Sequence, residues 1–504
     1  MVQYKVLDLF AGAGGFSYGF SLVKNGAFEI VKAIDINDEA CETLTNHIGK
    51  DKVMKEDLTN EKVIKSLINK YKNKIDVIIG GPPCQTFSLV GPSRSGSIEM
   101  RKALKKDPRN ILFKYYLKLV KEIDPRFVVF ENVEGITSKS LEEYSESNHK
   151  NKKVIELICD ELDELGYNLE YADGNKKGYT ILNAAEYGVP QNRRRVFVIA
   201  GKKEFINKNP IPEKTHGIEE HLLPFVTVKD AIGDLPPLFP RITIRGLNRL
   251  KKINFVKSNL NTFYKYLKDH VKKNKFLNLI EKDLKNLLLE FGCLIKKNKI
   301  SNKEFKYFNK NLDKIFKKAN KKLKKRNLVI DTKNNSKKID YRKYVRDTDS
   351  NIIHHNPRSH NIRDIIIFTL MKPGTNSSHF INENHEYYND NNLIYYLKNL
   401  YPYDTTKHVD TYVKHKEDLP SKTILAHLAK DGLRFIHPTQ LRSFTPREAA
   451  RLQSFPDSFK FEGSMISQFR QIGNAVPPLM AKAIGEAIYM ELEKMNKFSI
   501  KNAM

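Results

Sequence analysis

Two side chains stand where chemistry is expected, Cys84 and Glu131, and a pair of arginines, Arg193 and Arg195, leads into a further apolar run. Cys84 ends the run Gly80-Gly81-Pro82-Pro83-Cys84, which follows the apolar segment Ile75–Ile79. A thiol becomes a strong nucleophile once a positive environment or a proton acceptor brings it down from about 8.5. The carboxyl end of a strand is where α/β sheets bind ligands. Two prolines fix the backbone before Cys84, and two glycines allow close approach. A buried structural thiol is the blander reading, since free Cys is usually a small core residue. Glu131 closes a second apolar run, Phe127–Phe130, and would point into the same crevice. Arg193 and Arg195 alternate into a third, with Arg194 facing the other way.

The turn Asp8-Leu9-Phe10-Ala11-Gly12-Ala13-Gly14-Gly15-Phe16 reads as strand, glycine turn and helix start. Glycines there let backbone amides approach a ligand. Nicotinamide, flavin and S-adenosylmethionine (SAM) all fit such a turn, and so does a purely structural role. The run GAGG departs from G-x-G-x-x-G, which counts against a dinucleotide. Asp35 follows at the end of the next strand. It could hold ribose hydroxyls or cap a helix.

Positioning these groups requires strands alternating with helices. Residues 1–200 supply them: strands at 4–10, 28–34, 76–79, 127–130 and 195–200, a short extended piece at 53–58, and helical spacing at 110–122. This pattern implies a doubly wound α/β sheet. From 446 to 495 ordered patterning returns, with a helix behind Val476-Pro477-Pro478. Between them lies a region rich in Lys, Asn, Tyr and Phe, with helical stretches at 276–295 and 302–325.

The chain has 504 residues, enough for two or three domains. It carries 87 Lys and Arg against 59 Asp and Glu, a net charge of +28. Residues 241–340 hold 30 of the former and 8 of the latter, so one fifth of the chain holds 22 of the 28 charges. Compositional drift would spread the surplus evenly; its concentration points to a polyanionic partner. A solvated insertion remains the ordinary reading of a charge run. Cys41, Cys84, Cys159 and Cys293 form neither a disulfide framework nor a metal pattern, which fits a reducing compartment. No signal peptide or membrane span is legible, so a cytoplasmic location is expected.

Taken together, these segments resemble the DNA cytosine-5 methyltransferases of bacterial restriction-modification systems. DLFAGAGGFSYGF, GGPPCQTFS, ENVEGI, YGVPQNRRRVFVIA, TPREAARLQSFPDSF and QIGNAVPP match that family's motifs in its order. The resemblance implies a SAM-dependent, Rossmann-like doubly wound sheet in two pieces, 1–203 and 440–504. A smaller basic target-recognition domain, 204–439, is inserted before the C-terminal motifs. It further implies methyl transfer from SAM to carbon 5 of a cytosine in double-stranded DNA. Cys84 would attack carbon 6. Glu131 would hold ring nitrogen 3 and the exocyclic amine. Arg193 and Arg195 would hold the carbonyl oxygen and flanking phosphates. For the cofactor, Phe10 would pack on the adenine, with Gly12 and Gly14 near the methionine end. Asp35 with Ile36 would take the ribose side, and Asp57 with Leu58 the adenine amine. Pro83 would lie alongside, Leu112 would line the adenine pocket, and Asn474 and Val476 would close over the methionine.

The same resemblance makes 88–106 a lid behind a flipped-out base, at a flipping cost of a few kcal/mol. Arg245, Arg249, Arg358 and Arg363 are candidate base readers, although contact with phosphate or solvent is the more ordinary reading of each; Arg447, Glu448 and Arg451 read as structural braces. It implies a monomer, a separately acting cognate nuclease, and no metal. An RNA cytosine methyltransferase and a catalytically silent nucleic-acid-binding module are the competing readings.

Overall fold

The structure, a computed structural model, describes residues 3–83, 108–140, 152–243, 278, 280–295, 301–325, 341–347, 352–379, 410–429 and 432–503. Cys84, the segment 88–106, Arg245 and Arg249 lie outside the described residues.

A seven-stranded sheet organises the molecule. Its strands are β1 (Tyr4–Leu9), β2 (Phe28–Asp35), β3 (Val53–Lys55), β4 (Val77–Gly80), β5 (Phe127–Asn132), β6 (Thr180–Asn183) and β8 (Arg194–Gly201), in the order β3-β2-β1-β4-β5-β8-β6. The first five are parallel. Strands β4 and β5 are buried along their whole length, as continuous apolar runs covered on both faces must be. β8 runs antiparallel to both β5 and β6. Strict alternation of strand and helix predicts a parallel neighbour there. The ten or so residues between β6 and β8 are too few for a parallel crossover, so the pair closes antiparallel. The short β7 (Gln191–Asn192) sits in that connection.

Helices cover both faces. On one side lie α1 (Gly15–Ser21) and, introduced last in the chain, α13 (Pro478–Ala503); α2 (Asp38–Ile48) follows β2. Phe16, Phe20, Met480, Ile484 and Ile488 share one core. A Cβ on Gly19 would run into Ala481 and the Pro478 carbonyl, so only glycine allows this approach. On the other face lie α3 (Glu61–Tyr71), α4 (Leu112–Ile123) and α5 (Val154–Glu164), where Leu67, Tyr116, Leu119 and Ile158 pack under the sheet.

A third core joins α6 (Val228–Ile232), α9 (Tyr341–Val345), α11 (Pro446–Leu452) and α12 (Met465–Asn474) around Phe444, Phe455, Phe459 and Phe461. Buried ion pairs knit it together. Arg442 meets Glu448 through two 2.6 Å bonds. Arg451 meets Asp457 at 2.9 and 2.6 Å, and also Asp234 at 2.6 Å. Arg447 donates to the Pro456 and Phe459 carbonyls, both at 2.7 Å. Arg442, Arg447, Glu448 and Arg451 are fully buried with their charges bonded, so they brace the fold; Asp234 is only half-buried.

The remaining elements are α7 (Glu281–Ile295), α8 (Asn302–Lys325), α10 (Ile362–Leu370) and the two-residue strands β9 (Ile242–Thr243), β10 (His360–Asn361) and β11 (Ser421–Lys422). β9 pairs with β10, and β11 with β7. No described helix is long and apolar enough to cross a membrane.

Candidate active site

Leu9 lies opposite both Ile34 and Gly80, and Gly80 opposite Phe130, so the carboxyl ends of β1, β2, β4 and β5 open on one edge. The sheet order reverses at β1, with β2 on one side and β4 on the other. Such a switch point is where open α/β sheets form their crevice.

The glycine turn leaves β1 through three left-handed residues: Phe10 (φ 58°), Gly12 (φ 57°) and Gly14 (φ 84°). Phe10 is the costly one, since an L side chain rarely adopts that conformation. A carboxylate holds the turn open. Asp35 accepts the Gly12 N–H at 2.8 Å on one oxygen and the Asn37 N–H at 2.8 Å on the other. Asn37, not Asp35, caps α2, accepting from the Ala40 N–H at 3.0 Å. The capping reading of Asp35 therefore falls away. Each of its oxygens keeps a second lone pair. Burial raises the Asp35 carboxyl from its usual range, and the three backbone N–H groups aimed at it counter the rise.

Among the described residues, no heavy atom lies within 4 Å of where a Cβ on Gly12 would sit, so the turn faces open space there. Gly15 is the opposite case: a Cβ there would collide with the Val476 carbonyl. The residues before α13 thus close directly on the glycine turn. Val476 is buried and Asn474 exposed. Ile36 is 63% exposed, an apolar side chain left uncovered beside Asp35. Asp57 is exposed, and its Oδ1 accepts from the Thr59 N–H and hydroxyl, both at 2.8 Å; Leu58 behind it is buried. Leu112 is half-buried at the start of α4. Open space at Gly12, an anchored carboxylate and an uncovered apolar side chain suit a nucleoside-bearing cofactor such as SAM.

At the next strand end, Glu131 is 8% exposed. Arg195 Nε lies 3.2 Å from its Oε1. Burial raises the Glu131 carboxyl above the usual range, and Arg195 and Arg193 oppose the rise. Gly81 makes room for this carboxyl: a Cβ there would come within 2.9 Å of Oε2. Asn132 Nδ2 donates to the Pro82 carbonyl at 3.1 Å. The turn that leads into Cys84 is therefore tied to the strand that carries Glu131. Pro82 is buried and Pro83 exposed.

Arg193 behaves differently from its neighbour. It is 1% exposed and donates to the Ile424 carbonyl at 2.9 Å and the Gly473 carbonyl at 3.0 Å. It fastens three segments rather than presenting its guanidinium to the crevice. Gln191 does similar work: Nε2 donates to the Leu452 carbonyl and to Gln453 Oε1, each at 3.0 Å, and Oε1 accepts the Ile424 N–H at 2.7 Å. Arg194 points outward to Glu134 at 3.0 Å, as its alternation requires.

Beside Glu131 an open pocket of about 340 Å³ is lined by Val133, Glu134, Arg194 and Arg195 on one side and by Lys422, Thr423 and Arg434 on the other. Its cations outnumber its carboxylates, Glu134 and Asp410. Arg358 and Arg363 are tied inward, Arg358 to the Leu428 carbonyl and over the Phe469 ring, Arg363 to Asp364. Both guanidiniums thus have partners within the protein.

Asn132, Gln191 and Gln453 were not singled out from sequence. Asn132 sits beside Glu131 and Gln191 two places before Arg193, so adjacency was the available signal. Gln453 had none, because its partner is 262 positions away.

A doubly wound sheet with this crevice is the architecture of a SAM-dependent methyltransferase. The chain matches the family of C-5 cytosine-specific DNA methylases over residues 4–490, and it belongs to that family. M.DdeI, a type II methyltransferase of Desulfomicrobium norvegicum, is 28% identical over 99% of this chain and 91% of its own. M.OihORF3336P of Oceanobacillus iheyensis, provisionally assigned as a type II methyltransferase, is 29% identical over 97% and 96%. A prophage-encoded E. coli protein assigned as a DNA modification methyltransferase shares the fold, with a TM-score of 0.54 and 22% identity over 97% of this chain and 100% of its own. The activity is therefore SAM-dependent methylation of cytosine carbon 5 in DNA.

Proposed function

We propose that this chain is the modification enzyme of a type II restriction-modification pair, methylating one cytosine within a short recurring duplex sequence. The relatives' type II designation supports this. The observation that carries the site is the buried Glu131–Arg195 pair beside a Pro-Pro turn tethered by Asn132.

Carbon 5 of cytosine is a poor nucleophile. The Cys84 thiolate adds to carbon 6, and the electron pair of the 5,6 double bond becomes available at carbon 5. SAM, when bound, supplies an electrophilic methyl group. Once carbon 5 carries the methyl group, its proton passes to water, and the electron pair of that C–H bond re-forms the 5,6 double bond as the Cys84 thiolate leaves carbon 6. Glu131 in its protonated form donates to ring nitrogen 3 and relieves the charge developing on the ring. Its raised pKa, a result of burial, supports that role. Arg195 orients the carboxyl. Arg193 acts behind it, as a positioning residue on the Ile424 and Gly473 carbonyls.

The cofactor is held by Phe10, Gly12, Gly14, Asp35, Ile36, Asp57, Leu58, Pro83, Leu112, Asn474 and Val476. The flipped base enters beside the pocket between Arg195 and Lys422. Residues 204–439 read the target, and 1–203 with 440–504 perform the transfer. The enzyme acts as a cytoplasmic monomer, and its cognate nuclease acts separately.

Bisulfite sequencing of plasmid DNA from cells expressing the chain tests this reading. Protected cytosines should recur in one short context and vanish with Cys84→Ala. Methylation by Cys84→Ala would remove the nucleophile assignment, and unmodified DNA from a folded, SAM-binding wild type would remove the DNA substrate.

A further inference from the structure

We infer that one face of α8 is a docking surface for the phosphate backbone of duplex DNA. The inference rests on DNA being the substrate and adds a contact surface to it.

Helix α8 carries ten lysines and two acids in 24 residues. Their placement is one-sided. Lys303, Lys306, Lys310, Lys314, Lys317 and Lys321 recur at steps of three and four, which puts them on a single stripe; Lys318 lies on its flank. All seven are exposed. At 1.5 Å per residue the stripe runs for about 27 Å, close to the axial length of eight base pairs. The opposite face is apolar: Phe308, Leu312, Ala319 and Leu323 are buried.

A solvated helix face usually mixes acids among its lysines at four-residue spacing. This stripe is bordered by a single acid, Asp313, which stands three after Lys310 and four before Lys317 and is paired with Arg241; Glu304 lies on another face and accepts from Ser301 at the helix start. The described ion pairs include none of the seven lysines, whereas Lys322, off the stripe, is paired at 2.7 Å with the buried Asp283 of α7. Lysines four apart repel one another. A row of them is destabilising until a polyanion neutralises it.

The helix is also firmly mounted. Asn320 exchanges two hydrogen bonds with the Phe239 backbone, at 3.1 and 3.0 Å, and Asn311 donates to Glu290 of α7 at 3.3 Å. Lysines on a rigid helix bind phosphate as point charges, without reading sequence.

The test compares two charge-matched variants on a duplex of roughly 30 base pairs. One carries Lys→Gln at 303, 310, 314, 317 and 321. The other carries Lys→Gln at five exposed lysines of and after α3, at 62, 65, 70, 72 and 74. Each phosphate contact contributes about 0.9 to the slope of log affinity against log salt. The α8 variant should lose roughly 2 to 4.5 from that slope and bind at least tenfold more weakly at physiological salt. The α3 variant should match the wild type. Single-turnover methylation at saturating DNA should be unchanged in both. An α8 variant that is folded by circular dichroism and keeps the wild-type slope would overturn the inference. So would a loss confined to anionic vesicles. Lys314→Gln alone, expected to lower the slope by about 0.9, keeps the test open if the fivefold variant misfolds. A wild type that methylates no DNA would instead indict the substrate assignment, and that readout comes from the same reactions.

Discussion

At the scale of single residues, Glu131 carries the clearest expectation. Its carboxyl is raised by burial, so it retains its proton to higher pH than an exposed carboxylate. Deprotonation as pH rises should then produce an alkaline limb in the single-turnover methylation rate. Glu131→Gln should lower that rate by roughly 10²–10⁴-fold and abolish the limb, because an amide does not titrate; DNA affinity should hold. A variant that retains the limb would assign it to another group. The strand-end position of Glu131 was legible in the sequence because it closes an apolar run, whereas Arg193 and Arg195 were singled out by the resemblance. The inward posture of Arg193 was not legible. Its partners, the carbonyls of Ile424 and Gly473, lie more than 200 positions away and carry no side-chain signal.

At the scale of elements, β1 stores a cost. Asp8 is 1% exposed, bonded to Ser17 Oγ at 2.5 Å, and its Oδ1 has no partner among the described residues. Burial lifts its carboxyl to about 7, with Asp35 adding to the rise. In an unfolded chain it titrates near 3.9. The folded state therefore favours the protonated acid: that contribution is complete below about pH 4 and is lost as pH rises through 7. Asp8→Asn should raise stability at pH 8, read as a higher melting temperature, by at most roughly 4 kcal/mol, and the gain should shrink toward pH 4. A gain that is constant with pH would place its origin elsewhere. The Arg442–Glu448 pair offers a second measurement. Arg442→Met strands a buried carboxylate and should cost about 3–5 kcal/mol in urea unfolding; adding Glu448→Leu should recover most of it. Strand and helix order was readable from periodicity, and α8 was found with the bounds its pattern gives. The antiparallel edge was not, since it depends on a crossover too short to wrap back rather than on the strand residues themselves.

At the scale of the whole molecule, the sheet depends on a helix contributed by the far end of the chain. Ending the chain before Pro478 would uncover Phe16 and Phe20, whose core includes Met480, Ile484 and Ile488. Such a truncation should be insoluble or bind a hydrophobic dye, whereas a wild-type-like soluble fraction would show that α13 is dispensable. The closure of Val476 on Gly15 has a temporal side. Ribosomes add about 5–20 residues per second, so roughly 25–90 s separate the emergence of the glycine turn from that of its cover. Throughout that interval the nascent polypeptide holds half a crevice. Methylating capacity should therefore appear only near the end of translation, in an abrupt step, and a ribosome stalled anywhere in the middle third should yield none.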